Sequence, residues 1–527
     1  PIFIGKCIYM TQTGKQVARA AFLLMATVIL SSILGYGREV ALYSLLGQNY
    51  ITDAYRAAFS IPDFIYMMLV GGALSSSFIP VFSSFVANGR EEEGWKTASI
   101  VFNYVLIFLL LLIAVAYLHT EPLLTLLAPG LPPSYAELAV HLTHIMFIQT
   151  FFMALNGIAM GVLNSYNHFA APALGSLVYN LVIIVVGVAF YKQFGVAAFS
   201  YGVVLGAFLN FMVQIPALRK VGMKYYPSFD YRNEGLRQIM VLFIPVLAGL
   251  GVAQLNLFVN QNLASGLGPG MIGALNLGQK IMNLPRGIFA VSIATAVFPT
   301  MTMLAARGEF ESFKKTTSLG IRAIILISIP ASFGLVTLGE PVIKLLFEQG
   351  EFTARMAAVT GQALNYYCVG LFAYAVLQVL NRGFYALKDT ATPVIAAVIT
   401  IAVNIILSLT LIHSMGHRGL ALAYSLAGIV NVMILLLALK IKVGKIEGIK
   451  IIKTFAISVM ASIIMMLAVK YSASYIFAVL HLHSKMNLLL GTTLAAAIGA
   501  AIYMVLIYGF KLEETELVLN MFHKKRA

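Results

Sequence analysis

Phe78-Ile79-Pro80, Ala87-Asn88-Gly89-Arg90 and Lys96-Thr97-Ala98-Ser99 return later in the chain as Val297-Phe298-Pro299, Ala306-Arg307-Gly308 and Lys315-Thr316-Thr317-Ser318. The offset is constant, since 299 less 80 and 318 less 99 both give 219. Further on, Ala171-Pro172 reappears as Thr392-Pro393, and Asn210-x-Met212 with Ala217-Leu218-Arg219 reappears as Asn431-x-Met433 with Ala438-Leu439-Lys440, at an offset of 221. A half of about this length has been duplicated. In a membrane protein, such duplication usually means two lobes with a substrate site between them.

Composition places the duplicated halves in a bilayer. Of the 527 residues, 60% are hydrophobic and 10% charged, and the mean hydropathy is +0.89, whereas a soluble domain has roughly a quarter of its residues charged. Apolar runs long enough to span lie at 17–36, 54–86 (broken near Pro62 and Gly71-Gly72), 97–118, 136–163, 170–191 and 196–218. The second copy gives 238–264, 272–304, 316–338, 357–385, 391–412 and 418–439, and a tail pair follows at 452–472 and 487–510. The expected fold is an all-α polytopic membrane protein of 14 helices, as two six-helix lobes and two C-terminal helices. The corresponding segments are 1–16, an N-lobe 17–220, a linker 221–237, a C-lobe 238–441, the tail helices within 442–510 and a tail 511–527.

The basic residues test this span list independently of hydropathy. With the N-terminus inside, 24 of the 35 Lys and Arg fall in inner segments or at the inner ends of spans and 7 in outer segments or at outer ends, the asymmetry expected of cytoplasmic loops. The remaining Arg56, Lys280, Arg286 and Arg322 lie within spans. The net charge of +15 is therefore mostly a topology signal. Its dispersal over short loops gives little support to nucleic-acid binding. Both termini are expected in the cytoplasm. The first nine residues, before Met10, are assigned no role, and the first apolar run reads as a retained span rather than a cleaved signal. Two cysteines, Cys7 and Cys368, cannot build a disulfide framework or a metal cluster.

No segment outside the spans is long enough to fold as a separate catalytic domain. The longer outer loops, 119–135 and 340–356, occupy equivalent places in the two copies and read as an interfacial helix with a turn. The only tryptophan, Trp95, falls in an inner loop and reads as an interface anchor. No Ser-His-Asp order, metal-ligand spacing or phosphate-cradling Gly-Lys-Ser/Thr loop is present. The expectation is a transporter, not an enzyme, with no cofactor and no metal. Without an ATP-binding motif, transport draws on an ion gradient, the membrane potential or the substrate's own gradient.

Charged side chains at membrane depth are costly, about 2.5–3.5 kcal/mol each on insertion scales, and so mark function by default. Asp53, Arg56, Ser60 and Asp63 follow at i, i+3, i+7 and i+10, one face of the second span. Asn276, Lys280 and Asn283 form a similar stripe on the eighth. The seventh adds Gln254, Asn256, Asn260 and Gln261, and the first ends in Arg38-Glu39. The economical arrangement turns these stripes toward one aqueous cavity whose cations are Arg38, Arg56, Lys280 and Arg286, the last re-aimed by a helix break at Pro285. A basic cavity implies an anionic substrate. Each residue also has a structural alternative. Asp53 and Arg56 make an i, i+3 ion pair, Arg38 snorkels to the interface, and the amides of the seventh span act as interhelical glue. Arg322 reads as a snorkelling residue, and Asn156, Asn164, Asn180, Asn210, Asn404 and Asn431 read as structural.

The runs Thr52-Asp53-Ala54-Tyr55, Phe59-x-Ile61-Pro62 and Gly71-Gly72-Ala73-Leu74-Ser75-Ser76-Ser77-Phe78-Ile79-Pro80 resemble the second-helix signature of the MurJ (MviN) lipid II flippase family. Leu284-Pro285-Arg286-Gly287-Ile288-Phe289-Ala290-Val291, the loop from Leu345 to Thr353 and the segment from Phe384 to Pro393 resemble later signatures of that family. The resemblance implies two six-helix lobes, with helices 13 and 14 forming a lipid-tail groove. It implies that the undecaprenyl-diphosphate-linked peptidoglycan precursor moves from inner to outer leaflet of the bacterial cytoplasmic membrane by alternating access. Its partners would be lipid II, membrane lipids and the cell-wall synthesis machinery. Arg38 matches the family's arginine at the end of helix 1, and Lys280 falls where members commonly have a basic residue in helix 8. Ser32 and Tyr66 stand where many members carry arginines, which makes the expected cavity less basic. Asn260, Asn404 and Ser408 stand near where some members place acidic cation ligands, so a carboxylate-based sodium site is not expected. The alternatives are an exporter of another polyprenyl-linked oligosaccharide or a drug/cation antiporter of the same superfamily. From other classes come a polytopic lipid-processing enzyme and a cell-wall scaffold.

Overall fold

A computed structural model of the chain describes residue 27 and residues 29–71, 73–479, 484–510 and 512–514. The predicted segment 1–16, the first ten residues of the first predicted span and most of the tail 511–527 lie outside them. The described residues are helical throughout their elements, in two compact units that divide between Phe258 and Val259. Among the described residues, helices stand at the places of the second to fourteenth predicted spans and over the described part of the first, and eleven helices are long and apolar enough to cross a membrane.

The first unit holds α1 (29–46), α2 (Tyr50–Tyr66), α3 (Ala73–Ala87), α4 (Glu91–Leu118), α5 (Thr120–Leu127), α6 (Pro133–Ser165), α7 (Ala170–Phe194), α8 (Ala197–Lys220) and most of α9 (Glu234–Ser265). Asn49 starts α2 through a capping box: its side chain accepts from Ile51 N at 2.9 Å, and Thr52 Oγ1 accepts from Asn49 N at 3.0 Å. Pro62 inside α2 cannot donate to the carbonyl of Ala58. Thr143 Oγ1 of α6 supplies that donor at 3.3 Å, which keeps the helix intact where water is absent. Helix α6 is the unit's axis, packed by α2, α3, α4, α5 and α8, while α7 and α8 form a close hairpin. A Cβ on Gly206 would meet Tyr179 O at 2.9 Å, so the hairpin requires glycine there.

The second unit holds α10 (Met271–Pro285), α11 (Val291–Ala306), α12 (Phe310–Phe347), α13 (Ala354–Ala386), α14 (Ala391–Met415), α15 (His417–Val443), α16 (Gly448–Val479) and α17 (Lys485–Gly509). Its axis is α13, packed by α10, α11, α12 and α15. Phe313, Met301, Val379, Leu380 and Phe384 form part of its core. Helices α16 and α17 pack on one another and on α12.

The repeat reaches below the level of helices. A π-helical turn at Met67–Gly71 follows α2, and another at Arg286–Ala290 follows α10. Their starts differ by 219, the offset read from sequence. Helices α6, α7, α13 and α14 start at 133, 170, 354 and 391, so both pairs differ by 221. Among the described residues the two non-glycine residues with positive φ, Asn167 and Lys388, both have φ 58° and are also 221 apart.

Three expectations are corrected. The first helix does not end at residue 36 but runs to 46, because Glu39 is buried and paired rather than released to solvent. Trp95 is inside α4, 4% exposed, against Phe82 and Tyr166 at 5.3 and 6.2 Å between ring centroids. It is a core residue. The outer loop 119–135 does contain the short helix α5 and a turn, whereas its counterpart is the uninterrupted end of α12 followed by a turn.

Candidate functional site

In the first unit α1 and α2 bring three charges together. Glu39, 2% exposed, accepts from Arg56 through Oε2, and Arg38 Nη2 lies 3.4 Å from its Oε1. The Arg56 guanidinium also lies over the Tyr43 ring at 5.6 Å. Arg38, Glu39 and Arg56, with Leu42, Tyr55, Phe59 and Phe199, line a small cavity of about 50 Å³. Arg56 is thus compensated within the protein by Glu39. Of the predicted stripe, Ser60 Oγ donates back to Arg56 O at 3.1 Å, Asp53 is buried at 1% exposure, and Asp63 is half-buried.

In the second unit the predicted stripe does occupy one face of α10. Asn276 is exposed, and Lys280 and Asn283 are half-buried, whereas the intervening Leu277, Gly278, Ile281 and Met282 are buried in the unit's core. Asn276 Nδ2 donates to Ile272 O at 2.9 Å, while Asn283 Oδ1 is buried without a hydrogen bond. Arg286 opens the π-helical turn, one residue after Pro285. The break expected at that proline is a π turn, a feature common at functional sites.

Helix α9 supplies the remaining amides. Asn260 Nδ2 donates to Asn404 Oδ1 at 2.9 Å, and Ser408 Oγ donates to Asn260 Oδ1 at 3.4 Å. Asn260 therefore ties α9 to α14 as interhelical glue, and Asn256 is half-buried two turns from the C-terminal end of α9. Among the described residues no cluster of three His, Cys, Asp or Glu side chains could hold a metal ion.

Two features were not legible from the residue pattern itself, the first being implied only by the family resemblance. The first is an apolar groove of about 800 Å³ in the second unit, walled by Leu326, Pro330 and Leu338 of α12, Met465 and Val469 of α16 and Ala496, Tyr503 and Ile507 of α17. Its remaining wall is Pro285 and Phe289, which flank Arg286. The groove therefore begins at the turn that carries one of the predicted cavity cations. The second is a buried ion cluster on Arg322, 5% exposed rather than snorkelling. Arg322 donates to Glu514, which is fully buried, and its nitrogens lie 3.3 Å from Glu513 Oε2 and 3.8 Å from Glu447 Oε2. Thr454 Oγ1 donates to Glu514 Oε1 at 3.1 Å. Acidic residues directly after the last span were the only signal of this cluster in the sequence.

A polytopic helical fold of two related halves, with cations beside an apolar groove, defines a membrane transporter class. Solved structures agree. A multidrug resistance transporter of the MATE family, inward-facing, matches with a TM-score of 0.64 at 15% identity, over 81% of this chain and 99% of its own, which establishes the shared fold. A lipid II flippase MurJ in an inward closed conformation matches with a TM-score of 0.78 at 28% identity, over 93% of this chain and 98% of its own. The lipid II flippase MurJ of Burkholderia cenocepacia is 29% identical over 431 residues, 80% of this chain and 83% of that protein. Residues 42–493 match the lipid II flippase MurJ family as a whole, and the chain belongs to that family.

Proposed function

We propose that the protein is a lipid II flippase. It moves the undecaprenyl-diphosphate-linked peptidoglycan precursor from inner to outer leaflet of the bacterial cytoplasmic membrane by alternating access, chemically unchanged, for cell-wall synthesis. Both termini lie in the cytoplasm, and the cell-wall machinery is its functional partner. Arg38, Arg56, Lys280 and Arg286 engage the diphosphate, and the groove beside α16 and α17 takes the polyprenyl chain. The observation that carries this reading is the turn at Pro285–Phe289, whose Pro285 and Phe289 line the groove on either side of the cation Arg286. An amphiphile with an anionic head and a long apolar tail needs that pairing. A small soluble drug would need only one of the two.

The test replaces the flippase of depleted cells with the Arg38→Ala/Lys280→Ala variant. Loss of growth and of lipid II exposure on the outer face is expected, with the protein still folded in the membrane. Normal growth and normal exposure would overturn the assignment.

A further inference from the structure

The segment between α8 and α9 is not a free tether. From Met223 to Asp230 it forms neither helix nor strand and lies along α4: Tyr226 N donates to Ser99 Oγ at 3.0 Å, Asn103 Nδ2 to Ser228 O at 2.9 Å, and Tyr104 Oη to Phe229 O at 2.8 Å. It then turns back, and Thr97 Oγ1 donates to Asn233 Oδ1 at 3.0 Å. The segment is thus a hook whose tip reaches the level of Tyr104, seven residues along α4 from Thr97, or about 10 Å at the helical rise.

Tyr226 and Ser228 are half-buried, and Tyr225 lies on α4, its ring edge-on to Phe102 at 6.0 Å and its hydroxyl donating to Asn103 Oδ1 at 2.8 Å, while Met223, Phe229 and Tyr231 are 52%, 54% and 69% exposed. The tip continues the outward apolar face of α4, where Tyr104, Ile107, Phe108 and Leu111 are also exposed and Tyr104 meets Phe229 edge-on at 6.1 Å. Around it, counting the start of α4 on which it lies, stand seven exposed cations, Arg90, Lys96, Arg219, Lys220, Lys224, Arg232 and Arg237, against five exposed acids, Glu91, Glu92, Glu93, Asp230 and Glu234.

We infer that this hook is an anchor that inserts Phe229 and Tyr231 into the headgroup boundary of the adjoining leaflet and selects anionic phospholipid. The reach of about 10 Å suits the depth at which interfacial segments bury their apolar face. Aromatic rings with a polar edge favour that zone, and the basic surplus complements anionic headgroups. The inference is independent of the transported substrate.

The test uses the full chain in nanodiscs, with Phe229→Trp as reporter and the buried Trp95 as internal reference for folding. In phosphatidylglycerol discs, lipid carrying a nitroxide near the headgroup quenches the added tryptophan about threefold more than aqueous iodide does. In phosphatidylcholine discs, or with Lys224→Glu/Arg232→Glu, that preference falls. Tyr231→Trp serves as a second reporter should Phe229→Trp fail to fold. Quenching by iodide and not by the nitroxide lipid, or protection from both by a bound protein, overturns insertion. Equal nitroxide quenching in the two lipids overturns the anionic selectivity.

Discussion

At Glu39 two guanidiniums share one carboxylate that is 2% exposed, so its removal leaves Arg56 charged and half-buried beside apolar neighbours. Breaking a buried pair by deleting one partner is among the costlier substitutions. Because the Arg56 side chain keeps 21% of its surface, Glu39→Ala is expected to destabilise by about 2–3 kcal/mol, measured as a lowered melting temperature in detergent. Arg38→Ala should behave differently. Its side chain is 24% exposed and its contact with Glu39 is long, 3.4 Å, so stability changes by less than about 1 kcal/mol while lipid II export falls. An Arg38→Ala variant that melts early would place Arg38 in the scaffold. Outside the membrane, Asp389 supplies a pH signature. Its carboxyl is held down at about 2, chiefly by Lys442 Nζ at 2.7 Å and then by Thr392 N and Oγ1 at 3.0 and 2.7 Å. A folded-state pKa below the unfolded value contributes stability that is complete above the unfolded pKa and is lost as pH falls through the folded one. Asp389→Asn should therefore lower stability by about 1 kcal/mol at neutral pH, and the gap to the parent protein should close between about pH 4 and pH 2. A gap independent of pH would show that the carboxylate is not the stabilising group.

The buried cluster on α12 shows what separates elements legible in the sequence from those that are not. The placing of the helices, the break at Pro285 and the stripe on α10 follow from residues within a few positions of one another, although several helices start a few residues before the predicted spans and the break takes the form of a π turn. Arg322 has no acid three or four residues away in α12, so local pattern left it only the membrane surface. Its partners lie far along the chain, Glu513 being 191 residues on. Tertiary folding alone brings them together. The same holds for Trp95, whose cover comes from Tyr166, and for the groove, whose walls come from four separate helical stretches. The cluster ties α12 to the start of α16 and to the residues after α17, next to the groove wall at Leu326, whose carbonyl accepts from Tyr503 Oη at 2.9 Å. Glu514→Ala should lower stability by about 3 kcal/mol, because it leaves the guanidinium buried without its main partner. Arg322→Met combined with Glu514→Leu should cost far less than the two single changes added, since hydrophobic replacement of a buried pair is often neutral. Melting temperatures of the four proteins form the cycle, and additive single changes would show that Arg322 and Glu514 are not coupled.

Over the whole molecule the two copies share a scaffold and divide the chemistry. Scaffold features recur in register: the π turns, the positive-φ residues Asn167 and Lys388, and the helix ends at Gly195 and Gly416, with φ 56° and ψ −139° in one and φ 58° and ψ −134° in the other. The charges do not recur. At the offset of 219, Arg38 and Arg56 correspond to Leu257 and Leu275, and Lys280 and Arg286 correspond to Ile61 and Met67. Each cation therefore faces an apolar residue at the matching place in the other copy, and this contrast separates scaffold from function by experiment. Gly195→Ala and Gly416→Ala force a Cβ into a backbone region that is essentially glycine's own, at about 1–3 kcal/mol each. They should cost alike and, belonging to separate compact units, add within about 0.5 kcal/mol. The cation positions should behave asymmetrically. Lys280→Ile removes a half-buried charge on the outward face of α10 and should leave the melting temperature close to the parent's, while lipid II export falls. Ile61→Lys buries an unpaired ammonium at a position only 5% exposed, at several kcal/mol. Moving the charge by combining the two should restore neither stability nor export. Recovery of export in that double variant would show that the copies are interchangeable in chemistry as well as in architecture.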